Sequence, residues 1–177
     1  MKSTKGATRY AKALLELAIE QNKLDTVEAN MSYLIQVNND VKEFHTLINS
    51  PVINADKKIT AFAAIFPAFD GMTILFLNLI IKNKRESMLP EIAKSFIKQL
   101  KAHKGITPIT IVSAVALNEA TKTAILAKVQ TSVSGTLEVT EQIDPSLVGG
   151  FIIQLDDKQI DTSIASQFNN LKQRLTR

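Results

Sequence analysis

Residues 143–175 read IDPSLVGGFIIQLDDKQIDTSIASQFNNLKQRL, and the reading of this stretch decides the C-terminal fold. Asp144-Pro145-Ser146 is a turn signal, because proline presets φ and the aspartate side chain closes the turn locally. Gly149-Gly150 stands directly before the apolar run Phe151-Ile152-Ile153. Paired glycines there suggest a bulge or a place where another backbone comes close. Asp156-Asp157-Lys158 breaks the run, and Gln159-Ile160 is short enough to be the return strand. Asp161, or Thr162 beside it, is the expected N-cap of a last helix. Ile164, Phe168, Leu171 and Leu175 recur at i, i+4, i+7 and i+11, which is one helical stripe. The order is therefore turn, strand, hairpin, strand, helix. The stretch has no His or Cys, and its acids are Asp144, Asp156, Asp157 and Asp161, which reads as a docking device rather than a reaction centre.

Upstream, Gly105 marks a change of period. Ile109 and Ile111 alternate with threonine, so a strand is expected after Pro108. Asn118 is placed to cap a helix carrying Ile125, Val129 and Val133 and ending at Gly135. Leu137, Val139 and Ile143 form a further strand. Residues 106–177 thus read as a small α/β domain.

Residues 1–105 read as a six-helix bundle. Ser3 or Thr4 can cap a first helix running to about Asn22, with Ala7, Ala11, Leu14 and Ala18 on one face. Tyr10, Ala13, Leu15, Leu17 and Ile19 widen that face beyond what one core contact needs. A second helix is expected from Leu24 to Val37 and a third from Val41 to Ile48. Asn54 caps a fourth, closed by Pro67. The fifth, from Gly71 to Asn83, has eight apolar residues among the ten from Met72 to Ile81. A helix apolar nearly all round is buried on every side or lines an interface. Pro90 and Gly105 punctuate the sixth.

Composition narrows the function. The chain has 177 residues, no cysteine and two histidines, which excludes disulfides, thiol catalysis and histidine-rich metal sites. No nucleotide-cradling GxxxxGK[ST] loop is present, and the aspartates sit at turns where local hydrogen bonding accounts for them. No catalytic residue, cofactor site or metal site is expected. His45 and His103 read as surface residues. The N-terminus resembles neither a signal peptide nor a transit segment, and the apolar run from Ile74 to Ile81 is too short to span a bilayer. A reducing, bacterial-type cytoplasm is the expected compartment, with no direct membrane insertion. The net charge of +4 is uneven: residues 1–105 hold 15 Lys and Arg against 10 Asp and Glu, residues 106–177 hold 6 against 7. Two domains with different partners are expected. The Lys82-Lys84-Arg85 group and the lysines from Lys94 to Lys104 raise a second reading, a basic helical adaptor or nucleic-acid-binding protein. Exposed aromatics or a readout helix, which that class usually adds, are not evident.

The pattern Val139, Ile143, Asp144, Leu147, Gly149, Gly150, Phe151, Ile153, then Ile160-Asp161 and Ser163-Ile164, resembles the C-terminal signature of the delta subunit of bacterial rotary ATP synthase, the family of the mitochondrial oligomycin-sensitivity-conferring protein. Arg9-Tyr10-Ala11-Lys12-Ala13, Ser50-Pro51, and Asn83-Lys84-Arg85 with Leu89-Pro90 extend the resemblance over nearly the whole chain. The sequence departs at Asp156 and Thr162, where the family usually has glycine, and at Ala165, where it usually has a basic residue. The resemblance implies a non-catalytic stator connector in a proton-driven enzyme, peripheral on the cytoplasmic face of the bacterial inner membrane. It implies that the helical domain receives the N-terminal helix of an alpha subunit of the catalytic head, and that the C-terminal domain holds the b-subunit peripheral stalk. Asp144, Gly149, Gly150, Asp161 and Ser163 are its structural signature. The alpha-subunit helix is expected between the first and fifth helices, with Tyr10, Ala13, Leu14, Leu79 and Asn83 as wall residues, the first three by the family match.

Overall fold

The computed structural model describes residues 5–130, 135–155, 158–164 and 166–168. It is α+β, and it divides into two compact units, residues 1–100 and 101–177.

The first unit contains the six expected helices: α1 (Lys5–Glu20), α2 (Leu24–Asp40), α3 (Lys42–Asn49), α4 (Ala55–Ile65), α5 (Gly71–Lys82) and α6 (Leu89–His103), the last running just past the division. One 3-10 turn, Glu86–Met88, is additional and leads into α6. The expected caps Ser3 and Thr4 lie outside the described residues. Asn54 occupies the N-cap position of α4, but its side chain makes no capping bond. The working cap is Asp70, whose carboxylate accepts from the Met72 N–H at 3.0 Å and opens α5.

The bundle core follows the helical stripes. Ala7, Ala11, Leu14 and Ala18 of α1 meet Val27, Met31 and Leu34 of α2 and Ile92, Ala93, Phe96 and Leu100 of α6 in one buried cluster. Small alanines let helix axes come close. Phe44, Phe62, Phe66 and Phe69 add an aromatic group, with Phe66 and Phe69 stacked at 4.5 Å between centroids. Inside this core Asn30 donates to the Thr73 hydroxyl at 3.2 Å, so a polar bond fixes α2 against α5.

Among the described residues the second unit has a four-stranded sheet and a crossover helix. Its strands are β1 (Ile106–Ser113), β2 (Thr136–Ile143), β3 (Phe151–Leu155) and β4 (Lys158–Asp161), in the order β2-β1-β3-β4. β1 runs parallel to β2 through the crossover helix α7 (Glu119–Gln130) and antiparallel to β3, which pairs antiparallel with β4. The strand expected after Pro108 begins earlier, at Ile106. Proline is tolerated in this central strand because pairing to β3 starts only at Ile109. Asn118 caps α7 by accepting from the Thr121 N–H at 2.8 Å. Ile125 and Val129 of α7 pack on Ile109, Ile111 and Ile153 of the sheet. The expected core residue Val133, the turn aspartates Asp156 and Asp157, and Leu171 and Leu175 lie outside the described residues.

Candidate docking surfaces

α1 and α5 run in opposite directions along one side of the bundle, and two contacts show it. Lys23, just past the end of α1, donates to the Asp70 carboxylate at 2.7 Å, just before α5. At the other end the Arg85 guanidinium, just past α5, lies over the Tyr10 ring at 5.8 Å. The Lys23 bond, and secondly the Met72 N–H, holds the Asp70 carboxyl below its usual range.

The two helices leave apolar side chains uncovered. Leu17 of α1 is 42% exposed, and Leu75 and Leu79 of α5 are 71% and 51% exposed. Leu75 and Leu79 are one turn apart on α5, and Ala13 and Leu17 are one turn apart on α1. Of the five expected wall residues, Ala13, Leu79 and Asn83 are exposed and Tyr10 is half-buried. Leu14 is 0% exposed, so it supports the face from beneath and offers a partner no atom. Leu17 and Leu75, one turn from Ala13 and Leu79, are exposed too, and so is Arg85 over the Tyr10 ring. The helical wheel could not separate Leu75 from the other apolar residues of α5, because it shows no polar side to orient that helix.

Two hollows lie elsewhere in the bundle. One, of about 430 Å³, is apolar and lined by Tyr33, Val41, Phe44 and Ile65. The other, of about 440 Å³, is lined by Ser50, Asn54, Lys84 and the Lys58–Glu86 ion pair. Among the described residues no group of acids and histidines could hold a metal ion, and no helix is long and apolar enough to cross a membrane. His45 and His103 are exposed.

In the second unit the signature residues form one knot. Asp144 accepts from the Ser146 N–H at 3.0 Å and closes the turn before β3; the Ser146 contacts hold its carboxyl low. Val148 follows at φ 62°, a strained value for a β-branched side chain, and it is exposed. Gly150 has φ +80°, and a Cβ there would lie 2.6 Å from the Thr162 carbonyl oxygen and 2.9 Å from Ser163 Cα. A Cβ on Gly149 would meet the Ile164 Cδ1 at 2.6 Å. The glycine pair is thus where the junction between β4 and the following helical turn crosses the start of β3.

The cap of that helical turn differs from expectation. Neither Asp161 nor Thr162 is the N-cap; Ser163 is, its buried hydroxyl accepting from the Ser166 N–H at 3.3 Å. Asp161 ends β4 and accepts from the Ser163 N–H at 2.8 Å and the Ser166 hydroxyl at 2.6 Å. These bonds, the Ser166 hydroxyl foremost, hold its carboxyl below the usual range. Thr162 is drawn into the sheet instead, both its N–H and its hydroxyl donating to the Phe151 carbonyl. It keeps a negative φ, so the glycine usual there in the family is not required. Ile160, Ile164 and Phe168 are exposed around this knot.

Comparison with known proteins agrees in sequence and in fold. Residues 7–175 match the family described as ATP synthase delta (OSCP) subunit. The ATP synthase subunit delta of Cytophaga hutchinsonii is 32% identical, over 99% of this chain and 97% of its own. That of Flavobacterium johnsoniae is 30% identical, over 99% of both. A chain in the cryo-EM structure of the Toxoplasma gondii mitochondrial ATP synthase hexamer superposes with a TM-score of 0.77 at 20% identity, covering 98% of this chain and 99% of that one, which establishes a shared fold. The reading as an unrelated basic adaptor or nucleic-acid-binding protein is not supported. A bundle and sheet of this order, matched in sequence over almost its whole length, place the chain in the ATP synthase delta (OSCP) subunit family, the stator subunits of the rotary enzyme.

Proposed function

We propose that the protein is the non-catalytic connector between the catalytic head and the peripheral stalk of an ATP synthase. Residues 1–105 receive the N-terminal helix of an alpha subunit in the face between α1 and α5. Residues 106–177 hold the end of the b-subunit stalk. The connector keeps the head from turning with the rotor, so torque goes into ATP synthesis, and its station is the cytoplasmic face of the bacterial inner membrane. Its work is mechanical and rests on binding free energy alone.

The observation that carries the reading is the apolar stripe on α1 and α5, with Leu75 at 71% and Leu79 at 51% exposed within a family of assembly subunits. An amphipathic helix laid there buries the surplus, the helix-in-groove mode of recognition. On the second unit, Val148, Ile160, Ile164 and Phe168 are exposed apolar residues available to a stalk helix, as are Val115 and Ile143. The test is a titration of the full chain with an alpha-subunit N-terminal peptide, followed by amide NMR shifts. Shifts are expected on α1 and α5; shifts confined to α2 and α3 overturn the assignment.

A further inference from the structure

We infer that the face between α1 and α5 reads the direction of its helical partner. The occupant lies parallel to α1, with an acidic first turn beside Arg9 and Lys82 and a basic last turn beside Glu16 and Glu20. This deepens the proposed function and rests on it.

A helix is stabilised by acids in its first turn and cations in its last. α1 has neither; it carries Lys5 and Arg9 at its start and Glu16 and Glu20 at its end. Its charges run against its own dipole. All four side chains are exposed, so no buried contact accounts for the reversal.

α5 continues the same gradient across the face. It runs antiparallel to α1, so its C-terminal end, with exposed Lys82, Lys84 and Arg85, lies at the Lys5 and Arg9 end. At the opposite end the acid Asp70 is matched by Lys23 at 2.7 Å, whereas Glu16 meets Lys12 only at 3.8 Å in a solvent-exposed pair too weak to cancel its charge, so Glu16 and Glu20 set the sign there. Along the stripe from Tyr10 and Asn83 to Leu17 and Met72, the rim passes from positive to negative.

An ordinary amphipathic helix has the complementary arrangement, because acids collect in its first turn and cations in its last. Laid parallel to α1 it satisfies both ends at once; the dipoles of the antiparallel α1 and α5 oppose one another beneath it, so the side-chain charges of the rim decide its direction. Laid the other way it sets like charges together at both ends. The 16 residues of α1 span about 24 Å, enough for a partner of roughly four turns.

The experiment uses the full chain, isotope-labelled, and an alpha-subunit N-terminal peptide carrying a nitroxide at one end or the other. With the label at the peptide's N-terminus, the Tyr10 and Asn83 amides should broaden and those of Leu17 and Met72 should not; the C-terminal label should do the reverse. The opposite pattern overturns the polarity and leaves the groove in place. A peptide that broadens neither end overturns the groove reading itself. As a second arm, Arg9→Glu with Lys82→Glu, both at exposed positions, should weaken the peptide by about 1.5- to 5-fold per charge. A peptide with its first-turn acids changed to lysine should recover that loss; no recovery counts against charge reading.

Discussion

The Lys58 ammonium lies 2.5 Å from the Glu86 carboxylate inside the helical unit, with the two side chains only 2% and 13% exposed. Lys58 also donates to the Ser50 carbonyl at 2.7 Å, so one charge ties the turn before α4 to the 3-10 turn before α6. The second Glu86 oxygen is buried without a hydrogen-bond partner among the described residues. Removing one member of such a pair strands the other charge. Lys58→Ala is expected to cost about 3–5 kcal/mol, while Lys58→Met with Glu86→Leu should recover most of it. Urea unfolding measures both; a single variant within about 1 kcal/mol of wild type would show that the pair is solvated.

The two glycines before β3 should differ in sensitivity. At Gly150 the obstacle is backbone and φ is +80°, so neither neighbour nor chain can adjust cheaply. At Gly149 the obstacle is the end of the Ile164 side chain, which can rotate away. Gly150→Ala should therefore cost at least about 1–3 kcal/mol and Gly149→Ala less. Gly150→Asp should weaken assembly as well. Val148→Gly, which relieves a strained φ, should be neutral or stabilising. Denaturant melts of the four variants test the ranking, and equal losses at both glycines would contradict the crossing described here.

Core and docking roles on α1 and α5 can be told apart by substitution. Leu14 is fully buried, so Leu14→Ala should destabilise by about 2–5 kcal/mol. Leu79 and Ala13 are exposed, so Leu79→Asp and Ala13→Trp should leave the melting transition within about 0.5 kcal/mol of wild type and weaken binding of the alpha-subunit peptide. A peptide that binds the Ala13→Trp variant unchanged is not lying between α1 and α5.

Acid should loosen the second unit through Asp161. Its carboxyl is held below the ordinary aspartate value of 3.8 by the Ser166 hydroxyl foremost and by Ser163. A depressed folded-state value stabilises above the unfolded one, and that contribution is lost as pH falls from 3.8 through the folded value. Asp144 and Asp70 carry the same sign. Lys122 carries the opposite one: Glu141 foremost, then Glu119, raises it above 10.5, so its contribution is lost only in strong alkali. Melting temperature followed from about pH 6 to pH 2 should fall less steeply for Asp161→Asn than for wild type; parallel curves would remove Asp161 from the account.

Cutting the chain after Gly105 should release a fragment that folds alone. α6 ends at His103 and Gly105 has φ +68°, the conformation that closes a helix, so the cut spares the bundle's last turn. A cooperative, strongly helical thermal transition of residues 1–105 is expected. An uncooperative melt would place the boundary elsewhere.

The sequence by itself determined the order of elements, because period and punctuation are local properties. The switch at Gly105 from helical stripes to the alternation of Ile109 and Ile111 separates bundle from sheet, and Pro51, Pro67 and Pro90 bracket helices for steric reasons. The glycine pair announced a close approach because only glycine leaves room for one. What the sequence left open were the choices that depend on neighbours. It offered Asp161 and Thr162 as caps, but Thr162 is claimed by the Phe151 carbonyl and Asp161 by two donors, so the cap passes to Ser163. It made α5 apolar all round, and only packing chose Phe76, Leu77, Ile80 and Ile81 for the core while leaving Leu75 and Leu79 outside. The family match set Leu14 beside Tyr10 and Ala13 as a wall residue, whereas the helical stripe put it on the core face with Ala7, Ala11 and Ala18, and packing followed the stripe. Burial and hydrogen-bond partnership are settled between segments distant in sequence, and pattern alone carries no distance between them.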